Sequence, residues 1–497
     1  MIRNLSITLL IFILCFFTAC NTNFRQPNVI IIYADDLGFG DVSAYNQGTL
    51  NTPNIDRIAN EGILFTNGHS SSATCSPSRY ALLTGTYPWR NKKAKISTGA
   101  SLIIDTTQKT IPKMFKQMNY KTAIVGKWHL GLGDGEIDYN SKISPGPNEI
   151  GFEYSYIMPD TQDRVPTVYI EDGYVKNLDV KDPLYVNFKN NFDNQPTGKS
   201  NPELLTTKWH HGHFNSIVNG ISRIGFMKGG KKAYWSDIDM ADHFLNIAKS
   251  YITKNKKNPF FLFYSMQQPH VPRTPHPRFI GKSGMGPRGD VIIEADWCIG
   301  ELYNTLENEN LLENTLIIIS SDNGPVLNDG YYDNAVEKLG DHTPSGILRG
   351  GKYSLFEAGT RVPFISFWKG VTKPTISNKL ISQIDLFNSL SSIINSDLKT
   401  KDSKNLSQLI LTGSGVEREK LILEAFGKTA LKFRNWVLIP PYKGNPISKY
   451  TNIELGNSNT YQLYNLEKDP GQKINLVDQE KEKFIELNKI YTKSISD

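Results

Sequence analysis

Four short apolar runs in the first two thirds of the chain share one design: residues 29–34 (VIIIYA), 122–125 (TAIV), 260–264 (FFLFY) and 316–320 (LIIIS). Branched and aromatic residues follow one another there without polar alternation, which is the pattern of a strand covered on both faces of a parallel sheet. Helix-like segments at 54–61, 110–118, 233–249 and 290–307 lie between and around them. The alternation predicts a doubly wound α/β domain. Each run ends on polar chemistry: Asp35-Asp36 after the first, Gly126-Lys127-Trp128-His129 after the second, Gln267-Gln268-Pro269-His270 after the third and Asp322-Asn323 after the fourth. Ligands of open α/β sheets bind beyond the carboxyl ends of the strands. One polar strand end is ordinary, but four together mark a candidate site.

Residues 139–230 are rich in Asn, Pro and Gly, hold few clear strands and include the cluster His210, His211 and His213. They read as long loops framing that site. A polar stretch at 395–410 reads as a domain junction. It is followed by two expected strands, 421–426 and 431–439, and a charged amphipathic helix at 479–492. The expected division is a main domain over 20–400 and a small α+β subdomain over 401–497.

The chain has 497 residues, 39% hydrophobic and 21% charged, which excludes a disordered or fibrous protein. A net charge of +6 is mild over this length. No Lys/Arg block interleaved with aromatics occurs, so no nucleic-acid partner is expected. Arg3 followed by the charge-free run 6–19 (SITLLIFILCFFTA) reads as a signal peptide. Phe17-Thr18-Ala19-Cys20 resembles the bacterial lipoprotein box, with Phe17 in place of the more usual Leu. The resemblance implies cleavage before Cys20, a lipid on that residue, and an exported protein anchored to a membrane facing the periplasm or cell surface. An ordinary signal peptide cleaved nearby is the alternative. Of four cysteines only Cys75 and Cys298 lie beyond this region, which excludes a disulfide scaffold.

The most specific motif runs from Cys75-Ser76-Pro77-Ser78-Arg79 through Tyr80-Ala81-Leu82-Leu83-Thr84-Gly85. Pro77 suits the first turn of a helix, which places residue 75 at a helix N-terminus where free N–H groups favour an anion. Arg79 adds a permanent cation one turn on. Asp35, Asp36, Asp322 and Asn323 offer four hard oxygen ligands, a set suited to Ca²⁺ or Mg²⁺ and wrong for zinc.

At this point the chain resembles the sulfatase family, whose signature C-x-P-S-R-x-x-L-x-T-G is matched at every fixed position. Gly126-Lys127-Trp128-His129-Leu130-Gly131, Gln268-Pro269-His270-Val271-Pro272 and Arg349-Gly350-Gly351-Lys352 are similar to further family motifs. So is Tyr461-Gln462-Leu463-Tyr464-Asn465-Leu466-Glu467-Lys468-Asp469-Pro470 near the end. The resemblance implies an alkaline-phosphatase-like domain with a central, mostly parallel sheet and a small C-terminal subdomain. It implies a sulfuric ester hydrolase in which a maturase oxidises Cys75 to formylglycine. Asp35, Asp36, Cys75, Asp322 and Asn323 are implied as ligands of calcium, or less readily magnesium. Asp322 is implied to help activate the attacking hydroxyl of the hydrated aldehyde. Arg79, Lys127 and Lys352 supply positive charge, His270 with Lys352 protonates the leaving oxygen, and His129 takes a proton from residue 75 as sulfate departs. A gem-diol has one hydroxyl to attack and a second to expel the sulfate, which a thiol lacks.

The expected substrate is a sulfated carbohydrate. Asp163-Arg164, the histidine cluster, Arg273 and His276 are the candidate contacts. The context Asp163-Arg164-Val165-Pro166 and the His-Gly-His segment look similar to enzymes that remove 6-O-sulfate from galactose or N-acetylgalactosamine. Algal polysaccharides such as ulvan, and animal glycosaminoglycans, are alternatives. A phosphonate or phosphodiester hydrolase of the same superfamily and a non-catalytic glycan-binding lipoprotein are the rival functions.

Overall fold

The computed structural model describes residues 26–496 apart from positions 47 and 95. The signal segment and the lipidation candidate Cys20 lie outside the described residues.

Ten strands make one sheet: β1 (Asn28–Ala34), β2 (Ile63–Phe65), β3 (Lys121–Lys127), β4 (Tyr154–Met158), β5 (Ile170–Glu171), β6 (Tyr174–Val175), β7 (Phe260–Ser265), β8 (Thr315–Ser321), β9 (Phe364–Phe367) and β10 (Thr375–Ser377). Their order across it is β10-β2-β9-β8-β1-β7-β3-β4-β5-β6. The five central strands, β8 to β4, are parallel; β9, β5 and β6 pair antiparallel with their inner neighbours. Alternate residues of β1 point to opposite faces and both sets are apolar. Val29, Ile31 and Tyr33 pack with α2 (Cys75–Thr84), α3 (Ile111–Gln117) and α6 (Leu386–Ile393), while Ile30, Ile32 and Ala34 pack with α1 (Pro53–Glu61), α4 (Met240–Asn255) and α5 (Gly286–Asn308). Burying each large side chain is worth about 1.5–3 kcal/mol, against a span of about 1 kcal/mol in β-propensity, so two-sided burial decides these strands.

Register brings the carboxyl ends level. Ala34 pairs with Ser321, Tyr33 with Ser265, and Ser265 with Gly126. Gly126 is required there: its φ is +113° and a Cβ would sit 1.8 Å from the Ser265 carbonyl oxygen. The residues that follow these strands therefore share one edge of the sheet.

Several expectations need correction. The segment 233–249 becomes helical only at Met240, because the buried Asp237 carboxylate accepts two bonds from Arg223 at 2.8 and 2.7 Å, which holds the preceding residues out of a helix. Within 139–230 the strand β4 went unrecognised, since its sequence YSYIM interleaves polar groups although four of its five residues are buried. The expected strand 431–439 is a hairpin: β12 (Lys428–Phe433) and β13 (Trp436–Ile439) turn at Arg434, whose φ is +53°. With β11 (Lys420–Ala425) and β14 (Gln462–Asn465) they form an antiparallel four-stranded sheet covered by α7 (Lys481–Ser496), through Leu487 and Tyr491. Residues of 401–412 expected with that unit, Leu409 and Ile410 among them, pack on the main core instead, because their apolar faces meet α6.

Two buried ion pairs join the two cores. Lys432 of β12 donates to both carboxylate oxygens of Glu357 at 2.9 Å. Arg418 grips Asp385 at 2.7 and 2.8 Å and also donates to the Tyr87 hydroxyl at 2.9 Å and the Asp402 carbonyl at 2.6 Å. Removing one partner of such a pair strands a buried charge. Arg418→Ala is expected to lower stability by about 3–5 kcal/mol in urea unfolding; a loss below about 1 kcal/mol, the range of an exposed pair, contradicts this account.

Candidate active site

Helix α2 begins at Cys75, just past Thr74 in extended conformation, and closes at Gly85 with φ +61°. All ten of its residues are buried, including Arg79, which is fully enclosed. Residues four apart share a helix face, so Cys75 and Arg79 both meet the sheet edge. The Arg79 fork donates to Asp322 Oδ2 through Nε at 2.9 Å and Nη2 at 2.7 Å, and Nη1 donates to Ser265 Oγ at 2.6 Å.

Around that fork the strand ends converge. Lys127 Nζ donates to Asp35 Oδ2 at 2.5 Å and Lys352 Nζ to Asp36 Oδ2 at 2.9 Å. The thiol of Cys75 lies 3.5 Å from Asp35 Oδ1 and 3.9 Å from Asp36 Oδ1. Ligand atoms of Asp35, Asp36, Cys75 and Asp322 all fall within 4.8 Å of one another. Asn323 Nδ2 donates to Asp36 Oδ1 at 2.7 Å, while its Oδ1 is buried with no hydrogen-bond partner. Burying an unpartnered carbonyl beside three carboxylates is costly. A hard cation would satisfy all four groups at once.

Electrostatics follow from this crowding. Burial, with Asp35 next, raises the Asp322 carboxyl to about 6. Burial disfavours the Asp36 charge too, but Lys352, His270 and Lys127 outweigh it and hold that carboxyl below its ordinary range. Burial opposes the Lys352 ammonium, yet Asp329 and Asp36 keep it well above the usual lysine range. Burial and Asp322 push the Cys75 thiol well up, so the unmodified side chain is a neutral thiol.

The two histidines flank the carboxylates. His270 has Nδ1 2.8 Å from the Val271 carbonyl, which fixes its proton there, and Nε2 3.9 Å from Asp36. Burial, then Lys352, lowers it to about 4. His129, at φ +54°, has Nε2 3.0 Å from both Arg164 Nη1 and Asp160 Oδ1; its Nδ1 is buried without a partner. Burial and the neighbouring cations Lys127 and Arg164 hold it well below the ordinary histidine range.

A pocket of about 220 Å³ opens over Cys75. His129, His270 and Lys352 line it with Asp163, Arg164 and His213 from the long loops. Other expected contacts sit elsewhere. Arg273 is committed to the carbonyls of Pro269, Val326 and Leu327 and to Asp333 at 2.7 Å, so it braces the loop behind His270. His276 caps a short turn through Arg278 N, and His211 stacks on Tyr450 with centroids 4.3 Å apart. Sequence reasoning missed Asp329, which accepts from Lys352 at 3.0 Å, and the pocket residues Tyr353, Glu424 and Phe426. No local motif marks them; Glu424 comes in from strand β11, and the others from loops and a turn.

Residues 27–396 match the sulfatase family model. The chain is 48% identical over 474 residues to an N-acetylgalactosamine-6-O-sulfatase of Bacteroides thetaiotaomicron, covering 94% of this chain and 93% of that protein. It is 29% identical to human arylsulfatase A over 91% of this chain and 84% of the relative. A solved Bacteroides thetaiotaomicron sulfatase, described with the metabolism of multiple glycosaminoglycans, superposes with a TM-score of 0.93 at 47% identity, covering 95% of this chain and all of that one. The doubly wound sheet with its antiparallel C-terminal unit is thus the alkaline-phosphatase-like fold, and the chain belongs to the sulfatase family of sulfuric ester hydrolases, whose members use formylglycine and a divalent metal.

Proposed function

We propose that this protein desulfates a glycan, removing 6-O-sulfate from galactose or N-acetylgalactosamine, with Cys75 matured to formylglycine as nucleophile. Asp35, Asp36, Asp322 and Asn323 would hold the metal, calcium in this reading. The carrying observation is the cluster itself: Cys75 at a helix N-terminus within 4.8 Å of three buried carboxylates, beside the unpartnered Asn323 oxygen. When present, the metal would supply fixed positive charge to the sulfate oxygens, and formylglycine, once hydrated to its gem-diol, would supply two hydroxyls on one carbon. The reading includes export, a lipid on Cys20 and a formylglycine-generating partner.

The chain's own groups take the remaining roles. Arg79 and Lys127 hold Asp322 and Asp35 in place and offset their charge. Lys352 carries a permanent ammonium at the pocket. The resting His270 imidazole is neutral; a bound sulfate monoester anion favours a proton at its Nε2, from which it passes to the leaving sugar oxygen. His129 accepts a proton at Nε2, giving up the bond from Arg164 and donating to the Asp160 carboxylate 3.0 Å away. Asp163 accepts from His213 Nε2 at 2.7 Å through Oδ2, while its Oδ1 is buried without a partner and Arg164 Nε is likewise unpartnered. An unpartnered acceptor and an unpartnered donor on two residues that line the pocket suit the hydroxyls of a sugar.

Sulfate release from a panel of sulfated sugars, run with matured protein and calcium, tests the function. Wild type is expected to act on 6-sulfated galactose or N-acetylgalactosamine and Cys75→Ala to release none while keeping its melting temperature. Faster turnover of phosphonate or phosphate esters than of every sulfate would overturn it. For His270→Ala, loss of about 100-fold or more is expected on sugar sulfates and much less on activated aryl sulfates; equal losses argue against an acid role.

The Asp163–His213 pair has its own pH signature. Burial opposes the Asp163 charge but His213 outweighs it, holding the carboxyl well below 3.8; burial opposes the His213 charge, but Asp163 raises it above 6.5. The Asp163 contribution is present above 3.8 and fades as pH falls through its depressed value; that of His213 is present below 6.5 and fades as pH rises through its elevated one. In urea unfolding across pH, the deficit of His213→Gln is expected to peak between these two values. A deficit independent of pH would show the pair is not charged.

A further inference from the structure

Strands β11 and β12 are joined by the two-residue turn Phe426-Gly427, with Ala425 paired to Lys428. Both turn residues are left-handed, at φ 52° and 78°. A tight turn of this kind ordinarily carries Asn-Gly, because Asn tolerates positive φ and a bulky aromatic does not. Phe426 is moreover 47% exposed, so the hydrophobic core beneath the hairpin does not account for it.

Its ring lies on that of Tyr353, with centroids 5.1 Å apart and an interplanar angle of 18°. Tyr353 is itself left-handed, at φ 75°, and follows Lys352, whose Nζ reaches Asp36. Two aromatic residues in a conformation that aromatics avoid thus stack on each other from distant parts of the chain. Backbone strain of this sort persists where function requires it. Both rings line the pocket that holds Cys75, Arg164 and His213. That pocket is otherwise rich in charge, and the aromatic pair gives it a large apolar face.

We propose that Phe426, backed by Tyr353, is the platform against which the sulfate-bearing pyranose ring packs. A galacto-configured ring has polar hydroxyls on one side and a patch of C–H bonds on the other. The unpartnered Asp163 and Arg164 atoms suit the first, and the Phe426 ring suits the second. The inference rests on the sulfated-glycan reading above, and it assigns a specificity role to a residue beyond the segment 27–396 that matches the family model.

Three full-length proteins test it with calcium present: Cys75→Ala, Cys75→Ala/Phe426→Asn and Cys75→Ala/Phe426→Tyr. Each is titrated calorimetrically with N-acetylgalactosamine 6-sulfate and melted. Phe426→Asn is expected to weaken binding about tenfold while melting at or above its parent, since Asn suits the turn. Phe426→Tyr is expected to bind within about twofold of the parent. Equal affinity in all three, failure of Tyr to preserve binding, or no binding by the parent overturns the platform. Sulfate release by matured wild type separates the two readings. Turnover with equal affinities removes the platform alone; binding that depends on Phe426 without any turnover removes the reaction alone.

Discussion

Three carboxylates, Asp35, Asp36 and Asp322, are buried within 4.8 Å of one another, and like charges so close in a poorly polarisable interior repel strongly. Each is met by a different cation: Lys127 at 2.5 Å, Lys352 at 2.9 Å and Arg79 at 2.7 Å. Those six groups come from β1, β3, the end of β8, the helix α2 and the loop before Tyr353. Uncompensated, each buried ion costs several kcal/mol, so the elements that carry them are tied to one another by charge as well as by packing. Level strand ends in a parallel sheet are what allow this. A register slip between β1 and β8 would separate Asp35 and Asp36 from Asp322 and leave their partners misaligned.

The same constraint explains what could be read in advance. Strands buried on both faces must be continuously apolar, so β1, β7 and β8 announce themselves, and the polar residues after them fall at one edge by geometry. Cys75 and its neighbouring cation Arg79 lie one turn apart in a single helix and are equally legible. Strand β4 was not, because buried tyrosines and serine can satisfy their polar groups while leaving no apolar run. Arg273 does not reach the pocket for a different reason: residue type does not reveal whether a guanidinium faces a ligand or, as here, is committed to three carbonyls and Asp333. Asp329, Tyr353 and Phe426 escaped because their positions depend on loop conformations with positive φ at two of the three.

Although the antiparallel sheet has a core of its own, it is not an ornament on the main domain. Lys432 reaches across to Glu357, whose carboxyl is held at about 2 by this lysine, His69 and Arg361 despite burial, and Arg418 reaches to Asp385. Glu424 and Phe426 from the same sheet line the pocket over Cys75. The rim of the site therefore moves only as far as two buried ion pairs permit.

The turn at Phe426-Gly427 also separates two tasks within one pocket. Its two residues hold left-handed backbone and lie between the last paired residues of the hairpin, Ala425 and Lys428, outside the ladder itself. On the platform proposed for Phe426, contact with the sugar belongs to the hairpin tip and the charged cluster to the sheet edge, two separate stretches of backbone. A change confined to the turn would then alter how the sugar is held while leaving the cluster's own ion pairs in place.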